Sequence, residues 1–198
     1  MRVIAGTYRS RILKSLKGLA LRPTSDRLRE ALFNVLGPAV SGSRFMDLFA
    51  GTGAIGIEAL SRGATEVVFI ESYPPAVKLI RRNLESLEIT FGATVHAADA
   101  LRGLELLVSK NKGATLGFDF IFLDPPYAAA ENYARVLEFL GVADLLAPGG
   151  MVIAEHRRKF DLCEEAGTLR RVRVLKQGDA ALSFYRRRAA NGETGSAQ

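Results

Sequence analysis

Residues 124–127 read Asp-Pro-Pro-Tyr and close an apolar run that begins at Phe118. This tetrapeptide suits the gripping of a planar amine. An exocyclic NH2 on a nucleobase is a weak nucleophile because its lone pair is delocalised into the ring. Methylating it takes two acceptors that hold both N–H bonds while the nitrogen pyramidalises. The Asp124 carboxylate and the Pro125 main-chain carbonyl can form that pair. Pro126 stiffens the turn by fixing its own φ and restricting the residue before it, and Tyr127 offers a flat face on which a base can stack. A strand end followed by a Pro-Pro turn and a packed tyrosine is the plainer alternative, so the motif is weighed with its neighbours.

A second motif lies upstream. Residues 44–59, RFMDLFAGTGAIGIEA, run from an apolar strand through a glycine-rich turn into a helix start, and Gly51, Gly53 and Gly56 match G-x-G-x-x-G. Glu71, twenty residues past Gly51, ends the next apolar run, EVVFIE. Such glycines permit a tight turn and close approach of a ligand to backbone, and the distal acid can take ribose hydroxyls. Asp47, four residues before the first glycine, suits a cofactor with a cationic amino-acid tail and would repel a pyrophosphate. Asp99 follows a third alternating stretch, ATVHAA, where it can meet an adenine amine or simply cap a helix. Four acids, Asp47, Glu71, Asp99 and Asp124, thus end four short apolar runs. Because ligands of open α/β sheets bind beyond the carboxyl ends of the strands, the four are expected to line one cleft. The candidate cofactor-binding residues are Asp47, Leu48, Phe49, Ala50, Gly51, Thr52, Gly53, Glu71, Ser72, Asp99 and Ala100. The candidate catalytic ones are Asp124, Pro125, Pro126 and Tyr127.

The elements that must position these residues are legible from spacing. Strands are expected near 44–49, 66–71, 93–97 and 118–123, with a fifth at MVIAEH. Helices alternate with them near 53–62, 73–87 and 100–110, and through Tyr133, Val136, Leu137 and Leu140. Ser72 is a possible helix cap ahead of Pro74 and Pro75, which are tolerated in a first turn. An earlier helix follows Pro23, with Thr24, Ser25 and Asp26 as caps. It places Leu28, Leu32, Val35 and Leu36 on one face, and Arg27 and Arg29 off it, free to meet substrate. A short helix near 157–166 and two strands about a Gly-Asp turn in RRVRVLKQGDAALSFYRR complete the reading. Repeated βαβ spacing means a parallel sheet with helices on both faces. The tail ANGETGSAQ, within 189–198, is polar and expected to be disordered.

Charge is distributed unevenly. Residues 1–29 carry net +7, residues 30–156 net −6 and residues 157–188 net +6. Basic ends around an acidic middle fit a cofactor domain bordered by phosphate-binding surfaces, although solvated surface charge is the ordinary alternative. At 198 residues and 48% hydrophobic the chain can bury a substantial core. No apolar run approaches the roughly 18 residues of a membrane span, and MRVIAGTYRS has no signal-peptide stretch. Cys163 is the single cysteine, which excludes an internal disulfide. With His96 and His156 isolated, no metal site is expected, and a reducing cytoplasm is the default.

Taken together these pieces resemble the class I S-adenosylmethionine-dependent methyltransferases. More narrowly, they resemble the RsmD family, which methylates the exocyclic N2 amine of a guanine in bacterial 16S ribosomal RNA. The resemblance runs from Met1 to about Arg188 and is carried by RVIAGTYRSRIL, RPTSDRLREALFNVL, DLFAGTGAIGIEALSRGA and FDFIFLDPPY. The RPTSDR segment is the most discriminating, since generic methyltransferases lack it. Ser10 departs from the pattern, standing where a glycine is expected. The resemblance implies a Rossmann-like, mostly parallel seven-stranded sheet with a terminal antiparallel hairpin. It also implies a basic arm or hairpin over 1–23 ahead of a methyltransferase domain over 24–188. S-adenosylmethionine would be the cofactor and S-adenosylhomocysteine its product. The partner would be 16S rRNA within an assembling small ribosomal subunit, met by a cytoplasmic monomer through Arg9, Arg11, Arg22, Thr24, Arg27 and Arg29. The same tetrapeptide could instead serve an adenine N6 amine in DNA or RNA. The fold could also belong to a non-catalytic RNA-binding assembly factor or, more distantly, to a nicotinamide dehydrogenase.

Overall fold

The computed structural model of the chain describes residues 1–15, 25–110, 117–126 and 131–188. After an amino-terminal hairpin come α1 (Asp26–Leu36), β1 (Arg44–Leu48), α2 (Ala54–Ser61), β2 (Glu66–Glu71), α3 (Pro74–Ser86) and β3 (Ala93–Ala97). They are followed by α4 (Ala100–Lys110), β4 (Phe118–Leu123), α5 (Glu131–Val142), β5 (Leu146–Arg157), β6 (Glu165–Ala166), β7 (Leu169–Gln177) and β8 (Ala180–Arg187). One sheet orders them β3-β2-β1-β4-β5-β8-β7-β6. β1 to β5 pair in parallel, and β8, β7 and β6 extend the sheet antiparallel. This is the Rossmann-like methyltransferase architecture expected, with eight strands among the described residues rather than seven.

The central strands are apolar without alternation, RFMDL and FDFIFL, because helices cover both their faces. On one face α1, α2 and α3 pack through Leu28, Leu32, Ile57 and Ile80. There Phe33 stacks on Phe45 at 6.3 Å between ring centres. On the other face α4 and α5 bring Leu104, Tyr133, Leu137 and Leu140 against Ile121 and Val152. The Ser25 hydroxyl accepts from Leu28 N and starts α1. Tyr73, not Ser72, occupies the cap position of α3. It supplies no side-chain bond there, and Pro74 and Pro75 reduce the number of first-turn N–H groups in need of one.

The helix expected near 157–166 is absent, and β6 takes part of its place. Leu162 and Ala166 are buried four residues apart, which mimics a helical stripe. The backbone, however, finds its partners on the neighbouring hairpin. Arg158 N donates to Asp179 O, Arg171 N to Glu164 O, and the Arg171 guanidinium to Leu162 O and the Asp161 carboxylate. The expected tail at 189–198 lies outside the described residues.

Residues 1–15 fold back through an antiparallel bridge between Arg2 and Ile12 and seat on α2 and α3. Ser10 turns this hairpin with φ of 68°, a left-handed conformation natural to glycine, and its N–H reaches Val3 O at 2.9 Å. Glu58 anchors the hairpin from α2. Its carboxylate accepts from Ile4 N at 2.8 Å, Ala5 N at 3.0 Å and Arg62 Nε at 2.8 Å. Asn83, wholly buried on α3, accepts from Lys14 N and donates to Lys14 O and Thr52 O, so one amide ties the hairpin to the glycine turn.

Arg29 corrects the sequence reading. It is 0% exposed, not free to meet substrate. Its guanidinium donates to Arg2 O and Asp26 Oδ1 and lies 3.9 Å from Glu58. The polar position adjoining the apolar face of α1 is thus filled by the hairpin instead of by solvent. Among the described residues no helix is long and apolar enough to cross a membrane.

Candidate active site

Sheet order converts four acids scattered over the sequence into a row. Read β3-β2-β1-β4, the carboxyl ends carry Asp99, Glu71, Asp47 and Asp124 in that spatial order. At about 4.8 Å per strand the row spans roughly 14 Å, enough for an adenine, a ribose and an amino-acid tail laid end to end.

The glycine turn sits at the middle of the row. Phe49, Gly51 and Gly53 all have positive φ, at 61°, 55° and 77°. In Phe49 this is a strained conformation, of the kind that persists where surrounding structure enforces it. Two acids fix the turn through its own backbone: Glu71 accepts from Gly51 N at 2.8 Å and from Tyr73 N at 2.7 Å, and Asp47 accepts from Gly56 N at 2.9 Å. A Cβ on Gly56 would lie 2.2 Å from the Phe69 ring, so the third glycine of the fingerprint lets α2 lie flat on β2. A Cβ on Gly53 would meet the Ile80 side chain at 3.2 Å while forcing φ of 77° on a non-glycine residue.

Burial gives these carboxylates unusual protonation. Asp47 is 2% exposed, and desolvation raises its pKa to about 8. The Gly56 N–H works against that rise and the Glu71 charge adds to it. Asp124 is raised well above the ordinary carboxylate range, first by desolvation, then by the charges of Glu155 and Asp47. Leu48 and Leu123 are in register, as are Leu123 and Ala154, so Asp124 lies between the glycine turn and Glu155. Glu155 is 5% exposed, and its carbonyl is held by the Tyr133 hydroxyl at 2.6 Å. Among the described residues no side chain or N–H donates to the Asp124 carboxylate, which leaves its oxygens available to a substrate. Pro125 is buried and Pro126 exposed.

The structure therefore brings Asp47, Phe49, Gly51, Thr52, Gly53, Glu71 and Asp124 together. Ser72 is exposed beside Glu71. Leu48, Ala50 and Ala100 turn their side chains into the core, so any ligand contact they make is through main chain. Asp99 is exposed and caps α4 by accepting from Leu101 N at 3.1 Å. A carboxylate has capacity beyond that single bond. Arg9, Arg11 and Arg27 are exposed on the hairpin and on α1, and Arg11 also donates to Ser86 O. Tyr127, Arg22 and Thr24 lie outside the described residues. Glu155, Glu58 and Asn83 were not singled out from sequence. Glu155 alone left a signal, as an acid near the end of the fifth apolar strand.

The family model described as "Conserved hypothetical protein 95" matches residues 1–186. The chain belongs to this family, the RsmD family of class I methyltransferases. Ribosomal RNA small subunit methyltransferase D of Haemophilus influenzae is 39% identical over 187 residues, covering 94% of this chain and 92% of that protein. A solved structure of a hypothetical protein from Thermus thermophilus is 30% identical, covers 93% of this chain and 98% of its own, and superposes with a TM-score of 0.77. An RNA methyltransferase from Salinibacter ruber, solved in complex with S-adenosyl-L-homocysteine, shares the fold at a TM-score of 0.56 and 17% identity, over 82% of this chain and 91% of its own. The glycine turn and the Asp-Pro-Pro turn, two of the segments that carry the sequence resemblance, fall on the same strand-tip row in this structure, on adjacent strands β1 and β4.

Proposed function

We propose that the chain is an S-adenosylmethionine-dependent methyltransferase that acts on small-subunit ribosomal RNA and methylates the exocyclic N2 amine of a guanine. The observation that carries this reading is the placement of Asp124, its carboxylate unengaged among the described residues, next to the glycine turn and the buried acids Asp47 and Glu155. Two desolvated carboxylates with raised pKa values favour a cationic ligand, and a cofactor with a sulfonium and an ammonium supplies one. A pyrophosphate would instead push those pKa values higher still and gain no partner from them. When bound, S-adenosylmethionine supplies an electrophilic methyl carbon.

The residues of the chain align and shield. Asp47 and the turn at Gly51–Gly53 hold the aminocarboxypropyl tail, Glu71 the ribose and Asp99 the adenine. Asp124 and the Pro125 carbonyl accept the two N–H bonds of the target amine and aim its lone pair along the transfer axis, with Tyr127 stacking the base. Orientation of this kind is worth roughly 7–11 kcal/mol in favourable intramolecular reactions. The amine proton becomes acidic only once the new bond has formed, so a strong base is unnecessary. Asp124, whose raised pKa suits late proton acceptance, or water can take it. A guanine in a stacked region must first leave the stack, at a cost of a few kcal/mol.

Nucleoside mapping of rRNA by mass spectrometry tests the reading. Small-subunit rRNA from cells lacking the protein should miss one N2-methylguanosine, and adding the purified protein with S-adenosylmethionine should restore it. A restored methyl-adenosine, or no change in either sample, would refute it.

A further inference from the structure

The last hairpin carries arginines on both faces, and the two faces differ. Toward α5, Arg171 pairs with Asp161 at 3.0 Å and Glu164 at 3.6 Å, and Arg187 pairs with Asp144 at 2.9 Å. Arg188, past the end of β8, pairs with Glu165 at 3.3 Å. Toward α1, Arg170, Arg173 and Arg186 are exposed, and none has a carboxylate within 4.0 Å among the described residues. Arg170 stands opposite Arg186 in the ladder and Arg173 opposite Phe184, with its guanidinium 6.0 Å from that ring.

Strict alternation would put Arg171 and Arg173 on the same side. A register shift between them turns Arg173 to the α1 face, the re-aiming that a β-bulge produces. Beside these arginines runs a groove of about 440 Å³ between α1 and the hairpin, floored by Val35, Met151, Val172 and Phe184. Protection of a sheet edge by positive charge would account for Arg173 on β7. It does not account for Arg186, which lies on the inner strand β8.

We propose that this groove is a second RNA-contact surface. Arg170, Arg173 and Arg186 would grip phosphodiesters roughly 16–20 Å from Asp124, by strand spacing and rise, and Val172 and Met151 would offer an apolar floor to sugar or base. The inference rests on the RNA reading above. Planar guanidinium forks match phosphate oxygens, and three arginines with no ion pair among the described residues fit a polyanion; Asp119, which lines the adjoining cavity with Arg186, accepts from Arg44 N. The amino-terminal hairpin packs on α2 and α3, so the RNA would straddle α1, with Arg9 and Arg11 on one flank and this groove on the other.

The test uses small ribosomal subunits from cells lacking the protein. In R170Q/R173Q/R186Q, KM for the particles should rise at least tenfold. The slope of log affinity against log salt should flatten by about 2, at roughly 0.7 per phosphate contact. kcat at saturation and calorimetric affinity for S-adenosylmethionine should stay within twofold. The triple Arg→Lys variant should recover most of the KM. If the triple glutamine variant melts early, Arg170→Gln and Arg186→Gln, which leave the Arg173–Phe184 contact intact, should each flatten the slope by about 0.7. Unchanged KM and slope beside an active wild type would overturn this inference and spare the methyltransferase reading. A wild type inactive on the particles would instead sink that reading. A benzophenone attached at Arg170→Cys, in a Cys163→Ser background, should crosslink to rRNA. Crosslinks confined to ribosomal protein would overturn the proposal.

Discussion

The acids at the strand tips and the arginines around α1 use charge in opposite ways. Asp47 and Glu71, with Glu58 on α2, are almost wholly buried and spend their oxygens on backbone N–H groups, so their first effect is to fix a turn and a hairpin. Arg9, Arg27, Arg170, Arg173 and Arg186 are exposed, and among the described residues all but Arg173, beside Phe184, are free of the side-chain contacts that hold the acids. Rigid acids define one geometry for a small ligand. Free arginines tolerate a long, deformable polyanion. Arg29 shows that residue type alone does not assign a charge to either group: it is an arginine, yet it behaves like the acids, buried and holding backbone.

Asp124 marks the boundary between the two regions, and removing it should have the largest effect. Asp124→Ala should lower kcat about 10³-fold, the scale seen when one preorganised hydrogen-bonding group is lost. Calorimetric affinity for S-adenosylmethionine should change little. Near-normal turnover would dissolve the distinction between the acid row as a cofactor site and Asp124 as a substrate group.

Next comes the joint between the regions. Glu58→Ala removes the buried carboxylate beside Arg29, leaving it only the half-exposed Asp26, and frees the N–H groups of Ile4 and Ala5. Breaking a buried pair typically costs 3–5 kcal/mol, so denaturant unfolding should show a loss of about 3 kcal/mol. RNA affinity should fall more than cofactor affinity, because the hairpin loosens while the Asp47 and Glu71 bonds to the turn remain. Equal losses would mean that the two regions are one unit.

A pH series sharpens the comparison from the acid side. Asp47 has a folded pKa of about 8, above its unfolded value. A carboxyl raised in this way stabilises fully below its unfolded pKa and loses that contribution as pH climbs through 8. Against Asp47→Asn, which cannot ionise, the wild type should therefore weaken by up to about 1.4 kcal/mol per pH unit between pH 5 and 8. The thermal shift given by S-adenosylmethionine should exceed that given by S-adenosylhomocysteine, with a gap that widens over the same range, since only the former carries a sulfonium. A flat difference would show that Asp47 is solvated.

These regions were not equally legible in the sequence. β2, β3 and β4 and the helices α3 and α4 were placed within a residue or two, because buried parallel strands and amphipathic helices write their period into consecutive positions. The row of acids was legible for the same reason, each ending an apolar run. Glu58, Asn83 and Glu155 left weak or no local signal, since what they hold lies 22 to 69 residues away. The missing helix near 157–166 and the burial of Arg29 share that cause: in both, partners distant in sequence overrode a local pattern. The unpaired arginine face of the last hairpin depends on a one-residue register shift that composition does not reveal.

Ser10 offers the smallest and cleanest test. Its φ of 68° lies where a Cβ crowds the backbone, and glycine is the residue that the sequence resemblance leads one to expect there. Ser10→Gly relieves that strain and at the same time adds chain entropy to the unfolded state, two effects of opposite sign. A single left-handed non-glycine residue costs about 1–2 kcal/mol, and the extra entropy offsets roughly 0.5–1 of it. Unfolding free energy should therefore rise by about 0.5 kcal/mol, with cofactor affinity unchanged. The bond from residue 10 N–H to Val3 O survives the change, so a loss of stability would mean that the serine side chain helps to hold the turn, and that the hairpin depends on more than backbone shape and the Glu58 anchor.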